Sequence, residues 1–446
     1  MDAGSHFSGL LVNFSPIFNE PSFRSFITLV TGWVVCGGRR TISRVIQHGS
    51  ILGEAKQHAA FYRFFSRATW NPDELGRCIF RLVLPLLPED WGIVLLVDDT
   101  LCRKGGAHIW GGGMHHDPLL SSYGRGRTAV KLFSFGHSWV ILSLCIPLPW
   151  NRQRGIALPI GFRLYRSKKQ CPFAQYRKRT ELARELVDLA AAWVPGHRPI
   201  HLVGDAEYAC REVVRGLPDR IVFVGPIHMD AALYDPPSSS EGPGRPRRKG
   251  KRLPSPRKLL HDARVPWTSR SLRLYGRKVK VLVKTQVGLW YHVAGDRLVR
   301  MIVTRDPRGR IVDRAYFMTD AQADVEAIAH LFSLRWTQEE MHHNVKQNLG
   351  LEDPQNGWWR RPKGRRRVKQ VAGPQPHKQR GSHAVERTVP FILTVYAIVV
   401  LWYLEHGNAQ EDVKLARRLA PWYRHKTEPS FGDLSLIHIS EPTRPY

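Results

Sequence analysis

The sequence predicts an α/β fold class, with a mixed core carrying a β-rich insertion and preceded by a helical N-terminal domain. Three observations lead there. IVLLVDDT (93–100) and IHLVGDAEY (200–208) begin as unbroken apolar runs, as expected of strands buried on both faces, and each runs into aspartate. ELARELVDLAAAWV lies between them with helical periodicity and stops at Pro195 and Gly196. LRLYGRKVKVLVKTQ, LWYHVAG, RLVRMIVTRD and RIVDRAYFMTD then read as short antiparallel strands joined by tight turns.

Size and charge set the frame. A chain of 446 residues exceeds one usual core and is expected to divide as 1–90, 91–225, 226–323, 324–433 and a tail at 434–446. A hydrophobic fraction of 43% with 10% aromatic residues is that of a globular protein. Sixty-seven Lys and Arg against 38 Asp and Glu give a net charge of +29, so a polyanion is the expected partner, nucleic acid ahead of an anionic membrane. The six cysteines are scattered without zinc-finger spacing, and a reduced cytosolic protein follows. The N-terminus lacks the basic start and long apolar run of a secretory signal. VPFILTVYAIVVLWYL (389–404) falls short of the roughly 20 apolar residues of a spanning helix and is read as a buried core helix.

In chain order, residues 1–90 alternate helical apolar positions with arginines. Helices at about 41–48 and 55–66 admit a helix-turn-helix-like DNA reader showing Tyr62, Arg63 and Arg67, or equally a helical bundle with a basic exterior. Of the neighbours Asp98 and Asp99, alternation lets only one point into a site at the strand end. The Gly-rich stretch 104–127 is read as a mobile loop, and His108, His115, His116 and Asp117 within it as loop polarity ahead of a zinc site. Strands are expected within 129–150 and at 157–165, then a helix capped by Thr180. Residues 236–258 (PPSSSEGPGRPRRKGKRLPSPRK) are read as an unfolded basic loop in which Arg247, Arg248 and Lys249 tether phosphates. Trp290 is assigned to core packing ahead of base stacking. A second basic excursion occupies 358–382, and the closing SLIHISEPTRPY fits no structural pattern and reads as translated adapter sequence.

The helix expected over 331–350 carries the chemistry. Arg335, Glu339 and Lys346 are spaced by four and seven residues, steps of roughly +40° and −20° at about 100° per residue, so they share one face. Leu334, Met341 and Val345 lie off that face and anchor it. His342 and His343 are read as solvated helix positions ahead of a place bordering a metal site. A surface ion pair explains this helix alone as well as a site does, but two strands ending in aspartate shift the balance. Three carboxylates at one sheet edge repel one another unless a cation neutralises them, and hard oxygen donors suit Mg²⁺ or Mn²⁺. Two such ions about 3.5–4 Å apart support phosphodiester displacement.

These residues resemble a known family. Asp99-Thr100 after an apolar strand, GDAEY, and FSLRWTQEEMHHNVK are similar to the DDE transposases of bacterial insertion sequences; the last stretch follows the Y-(2)-R-(3)-E-(6)-K signature, with Phe332 where it has Tyr. RTISR, FYRFFSRA, GHSWVILS, ALPIGFRLYR, DAALYDPP and NLGLED extend the similarity over roughly 39–405. The resemblance implies a ribonuclease H-like core with its insertion between the second Asp and the Glu. It implies Asp99, Asp205 and Glu339 as ligands of Mg²⁺ or Mn²⁺, as two ions, with Asp98 the alternative to Asp99. Arg335 and Lys346 become phosphate contacts. The implied activity is cleavage at the inverted-repeat ends of a transposon and strand transfer into target DNA, by a homodimer in the bacterial cytoplasm at the nucleoid. A host nuclease without strand transfer, and a non-catalytic DNA-binding derivative, stand as alternatives.

Overall fold

The computed structural model describes residues 3–50, 56–105, 109–121, 132–237, 247–274, 277–309, 312–354, 358–360, 369–372 and 379–434. Five helices open the chain: α1 (Ala3–Val12), α2 (Glu20–Val35), α3 (Ile42–Gly49), α4 (His58–Ser66) and α5 (Pro72–Val83). Each of α2, α3 and α5 starts on a side-chain cap, Asn19, Thr41 and Asn71. Both helices of the expected helix-turn-helix-like pair form within a few residues of their predicted bounds. Close packing joins α2 to α3: a Cβ on Gly32 would meet the Val45 carbonyl oxygen at 2.2 Å, and one on Gly49 the Thr28 oxygen at 2.2 Å.

The core follows as β1 (Ile93–Arg103), β2 (Gly113–His116), β3 (Phe133–Leu148), β4 (Asn151–Tyr165), α6 (Arg179–Ala191), β5 (Ile200–Gly204), α7 (Arg211–Val214) and β6 (Ile221–Pro226). The insertion adds α8 (Pro256–His261), β7 (Thr268–Leu274), β8 (Arg277–Leu289), α9 (Tyr291–Ala294), β9 (Leu298–Arg305) and β10 (Arg314–Met318). Its four strands do not stand apart. The sheet runs β2-β3-β1-β5-β6-β10-β9-β8-β7 with β4 also on β3, and β10 joins the insertion antiparallel to β6. Within the core, β1 is antiparallel to β3 and parallel to β5, and β5 is parallel to β6. The parallel part is buried on both faces, as the unbroken apolar runs require.

Helices α10 (Val325–Leu334) and α11 (Trp336–Asn348), the strands β11 (Trp358–Arg360) and β12 (Lys369–Ala372), α12 (Gln379–His406) and α13 (Ala409–Leu419) complete the chain. Among the described residues one helical stretch, Ser382–His406 within α12, is long and apolar enough to cross a membrane, and 89% of its most apolar window is buried in the protein. Its Phe391 ring meets those of Phe26, Trp33, Phe64 and Phe65 at 5.4–5.9 Å, so this helix is the common floor for the N-terminal helices.

Several expectations need correction. The cap of α6 is Lys178, two residues before Thr180, because Glu181 reaches back to accept from the Lys178 N–H at 2.7 Å. Residues 247–258 are not an unfolded loop: Tyr234 bridges to Arg252 and Leu289, and Ser255 caps α8. The Gly-rich stretch contains β2, paired with β3. His108 and the tail 435–446 lie outside the described residues. Trp290 is buried and meets Phe317 edge-on at 4.9 Å, as core packing requires.

Candidate active site

Asp98, Asp99, Asp205 and Glu339 are among the carboxylates that line one cleft of about 1300 Å³. Asp98 and Asp99 occupy β1 opposite Ile141 and Val140 of β3. Asp205 directly follows β5, and its Oδ1 accepts from the N–H groups of Glu207 (2.8 Å) and Tyr208 (3.3 Å), which fixes the side chain at the strand end. Glu339 sits in the first turn of α11. That helix is held by buried Met341 and Val345, with Leu334, the third expected anchor, buried at the end of α10, and by buried Gln338, whose amide donates to the Ile141 carbonyl at 3.2 Å. The single expected helix is two, meeting at Arg335. Arg335, Glu339 and Lys346 all still reach the cleft.

Asp98 and Asp99 have different partners, as alternation demands. The Arg335 guanidinium lies 3.6 Å from Asp98 and 2.5 Å from Glu339. Asp99 instead accepts from Tyr208 and Ser138 hydroxyls, each at 3.3 Å, and stands 3.7 Å from Arg179, which also pairs with Glu207 at 2.7 Å. So Asp98, not Asp99, shares a cation with Glu339.

The electrostatics of the cluster call for positive charge. Burial, reinforced by Asp99 and Asp205, pushes Asp98 well above the usual carboxylate range despite Arg335. Burial raises Asp99 to about 6; Arg179 opposes this, while Glu207 and Asp205 add to it. A donor set made only of carboxylate oxygens fits a hard divalent cation such as Mg²⁺ or Mn²⁺. Among the described residues no three of His, Cys, Asp and Glu close around one point, and the Arg335 guanidinium stands between two of the donors.

Other side chains depart from expectation, and Arg154, Asn151, Glu340 and Glu428 were not foreseen. His342 is buried, not solvated, and burial with Lys346 and Arg335 nearby pushes it down to about 3, so it is neutral; His343 is exposed. Arg154 on β4 pairs with Glu340 at 3.3 Å and with Glu428, and Asn151 also donates to Glu428 at 2.8 Å. Helical spacing marks Glu340 as Glu339's neighbour, but nothing local announces Glu428, 274 residues from Arg154. Asp117 pairs with Arg103 at 2.7 Å and accepts from Ser134, which accounts for it without zinc. Arg63 and Arg67 are exposed at α4, and Arg247, Arg248 and Lys249 are exposed on the insertion, where Lys249 lies over the Tyr234 ring at 4.1 Å.

The family model for DDE superfamily endonucleases matches residues 13–280, more than half of the sequence. The chain belongs to this family. Comparison with curated proteins returns no match. As a DDE superfamily endonuclease it has a ribonuclease H-like core behind a helical N-terminal region, and membership brings nuclease-type chemistry on DNA that divalent metal ions support. The matched span contains Asp98, Asp99 and Asp205 but ends before α11, so Glu339 enters the site on geometry.

Proposed function

We propose that this DDE endonuclease is a DNA transposase that cleaves the inverted-repeat ends of its element and joins the freed 3′-hydroxyl to target DNA. The observation supporting it is the convergence of Arg335, Glu339 and Lys346, carried on α11 and its junction with α10, on the cleft that also holds Asp98 and Asp99 from within β1 and Asp205 at the end of β5. In this reading Asp99, Asp205 and Glu339 hold Mg²⁺ or Mn²⁺. When bound, two such ions activate the attacking oxygen and stabilise the leaving one. Arg335 and Lys346 grip the phosphates flanking the scissile bond. Arg63 and Arg67 on α4, with Arg247, Arg248 and Lys249 on the insertion, hold flanking duplex, and the surplus of +29 supplies the long-range attraction. Two ends brought together make a homodimer the working form.

One observation favours a variant of this assignment in which Asp98 replaces Asp99 as ligand: Asp98 alone of the two shares Arg335 with Glu339. The experiment uses labelled duplexes from the DNA flanking the gene. Asp205→Asn and Glu339→Gln are expected to lose Mg²⁺-dependent nicking while binding DNA; full nicking by Glu339→Gln refutes the site. Nicking without a joined product leaves a nuclease, and binding without nicking leaves a DNA-binding protein.

A further inference from the structure

Just before the cleft wall at Glu428 lies a segment that the chemistry above does not use. The last turns of α13 and the loop that follows read KLARRLAPWYRHK (414–426), which holds Lys414, Arg417, Arg418, Arg424 and Lys426 and no carboxylate. Trp422 is 75% exposed and Tyr423 51%, with ring centroids 6.1 Å apart. Two large aromatic rings turned to water cost solvation free energy that a surface loop normally avoids by collapsing. This loop is held open from beneath. Its turns close through Tyr423 N–H to the Ala420 carbonyl (2.9 Å) and Lys426 N–H to the Tyr423 carbonyl (3.0 Å). Arg417 donates to the Lys426 carbonyl at 2.8 Å, and the Lys426 ammonium pairs with Asp433. Just beyond, Glu428 is clamped by Arg154 and Asn151, and Phe431 stacks on Tyr396 of α12 at 4.7 Å. Glu428 and Phe431 line the same cleft as Asp98 and Glu339, so the chain reaches the cleft wall within six residues of Trp422.

We infer that Trp422 and Tyr423 form a stacking platform for an unpaired DNA strand emerging from the cleft. Charge complementarity selects a polyanion over an apolar protein surface, and exposed π-faces select unpaired bases over duplex, whose bases are already stacked. Exposed Arg418 and Arg424 take the strand's phosphates. This rests on the cleft acting on DNA, and the test separates the two claims.

Fluorescence anisotropy in EDTA, where no cleavage occurs, compares a blunt duplex with the same duplex carrying an unpaired single-stranded flank. Wild type is expected to prefer the flanked DNA. Trp422→Ala should weaken flanked DNA roughly 10-fold, the scale of one lost base stack, with little change on blunt duplex, and Trp422→Phe should restore most of the loss. Unchanged flanked binding, or equal losses on both DNAs, overturns the platform while leaving the DNA cleft intact. No binding of either DNA by wild type overturns both. Light scattering on Trp422→Ala checks the remaining rival: a change in assembly state without a change in DNA affinity makes this face a protein contact and overturns the inference.

Discussion

Replacing Arg335 by Gln tests how the acidic cluster is balanced. Arg335 and Asp98 side chains are 19% and 15% exposed, so their 3.6 Å contact is largely shielded from water, whereas Glu339 is 36% exposed. Removing one partner of a well-buried ion pair costs about 3–5 kcal/mol. Asp98 is already raised well above the carboxylate range, so it takes up a proton instead of remaining an orphan anion, which holds the loss to about 2 kcal/mol. The screened Glu339 arm adds less than about 1 kcal/mol. The total is about 2–3 kcal/mol, a fall in melting temperature of roughly 2–3 °C for a chain of 446 residues. The assay is thermal unfolding in EDTA and across a Mg²⁺ titration. Arg335→Gln is expected to melt lower in EDTA and to gain more from Mg²⁺ than wild type, because Mg²⁺ no longer competes with a guanidinium. Equal melting in EDTA with equal Mg²⁺ gains refutes the reasoning.

Asp98→Asn and Asp99→Asn divide the two assignments of the first ligand: the ligand's variant loses nicking by a factor of 100 or more, while the other falls mainly in stability, with Mn²⁺ binding by calorimetry as the independent readout. His137 is fully buried, bonded through Nε2 to the Trp110 carbonyl at 2.9 Å, and pushed by burial down to about 3. With an unfolded pKa of about 6.5, the unfolded chain binds the extra proton between those values. Stability is therefore complete above that range and falls as pH drops through it, by about 2 kcal/mol at pH 5 from this residue. His137→Gln should flatten the urea-stability profile between pH 7.5 and 5 by that amount; an unchanged profile counts against a neutral buried imidazole. Gly49→Ala puts a methyl 2.2 Å from the Thr28 carbonyl and must separate α3 from α2, so denaturation should show a loss of about 1–3 kcal/mol; a stabilised variant would contradict that packing.

Much of this architecture is legible because its signals are local. The unbroken apolar runs before Asp98 and Asp205 announce buried strands, and Asp324 caps α10 where helical periodicity resumes. The rest depends on partners remote in sequence. Whether Asp98 or Asp99 faces Glu339 is decided by Arg335 and Arg179, which no strand pattern reveals. The joining of the insertion to the core sheet turns on Tyr316 meeting Pro226 and Met318 meeting Val224, pairs about 90 residues apart, beyond any turn rule. Composition misreads 247–258 as unfolded because its order comes from outside it: Tyr234 and Leu289 supply the bridges, and buried Lys284 donates to the carbonyls of Leu259 and Asp262 at the end of α8. Likewise Glu428 becomes part of the cleft wall only through Arg154 and Asn151.

The most direct measurement is a Mg²⁺-dependent reaction on a labelled duplex from the inverted repeats flanking the gene, run beside plasmid target with wild type, Asp205→Asn and Glu339→Gln. The account predicts nicking at the repeat end and a joined end-to-plasmid product with wild type, and neither with the two variants, although both still shift the duplex in a binding gel. Nicking and joining undiminished in either variant would contradict it.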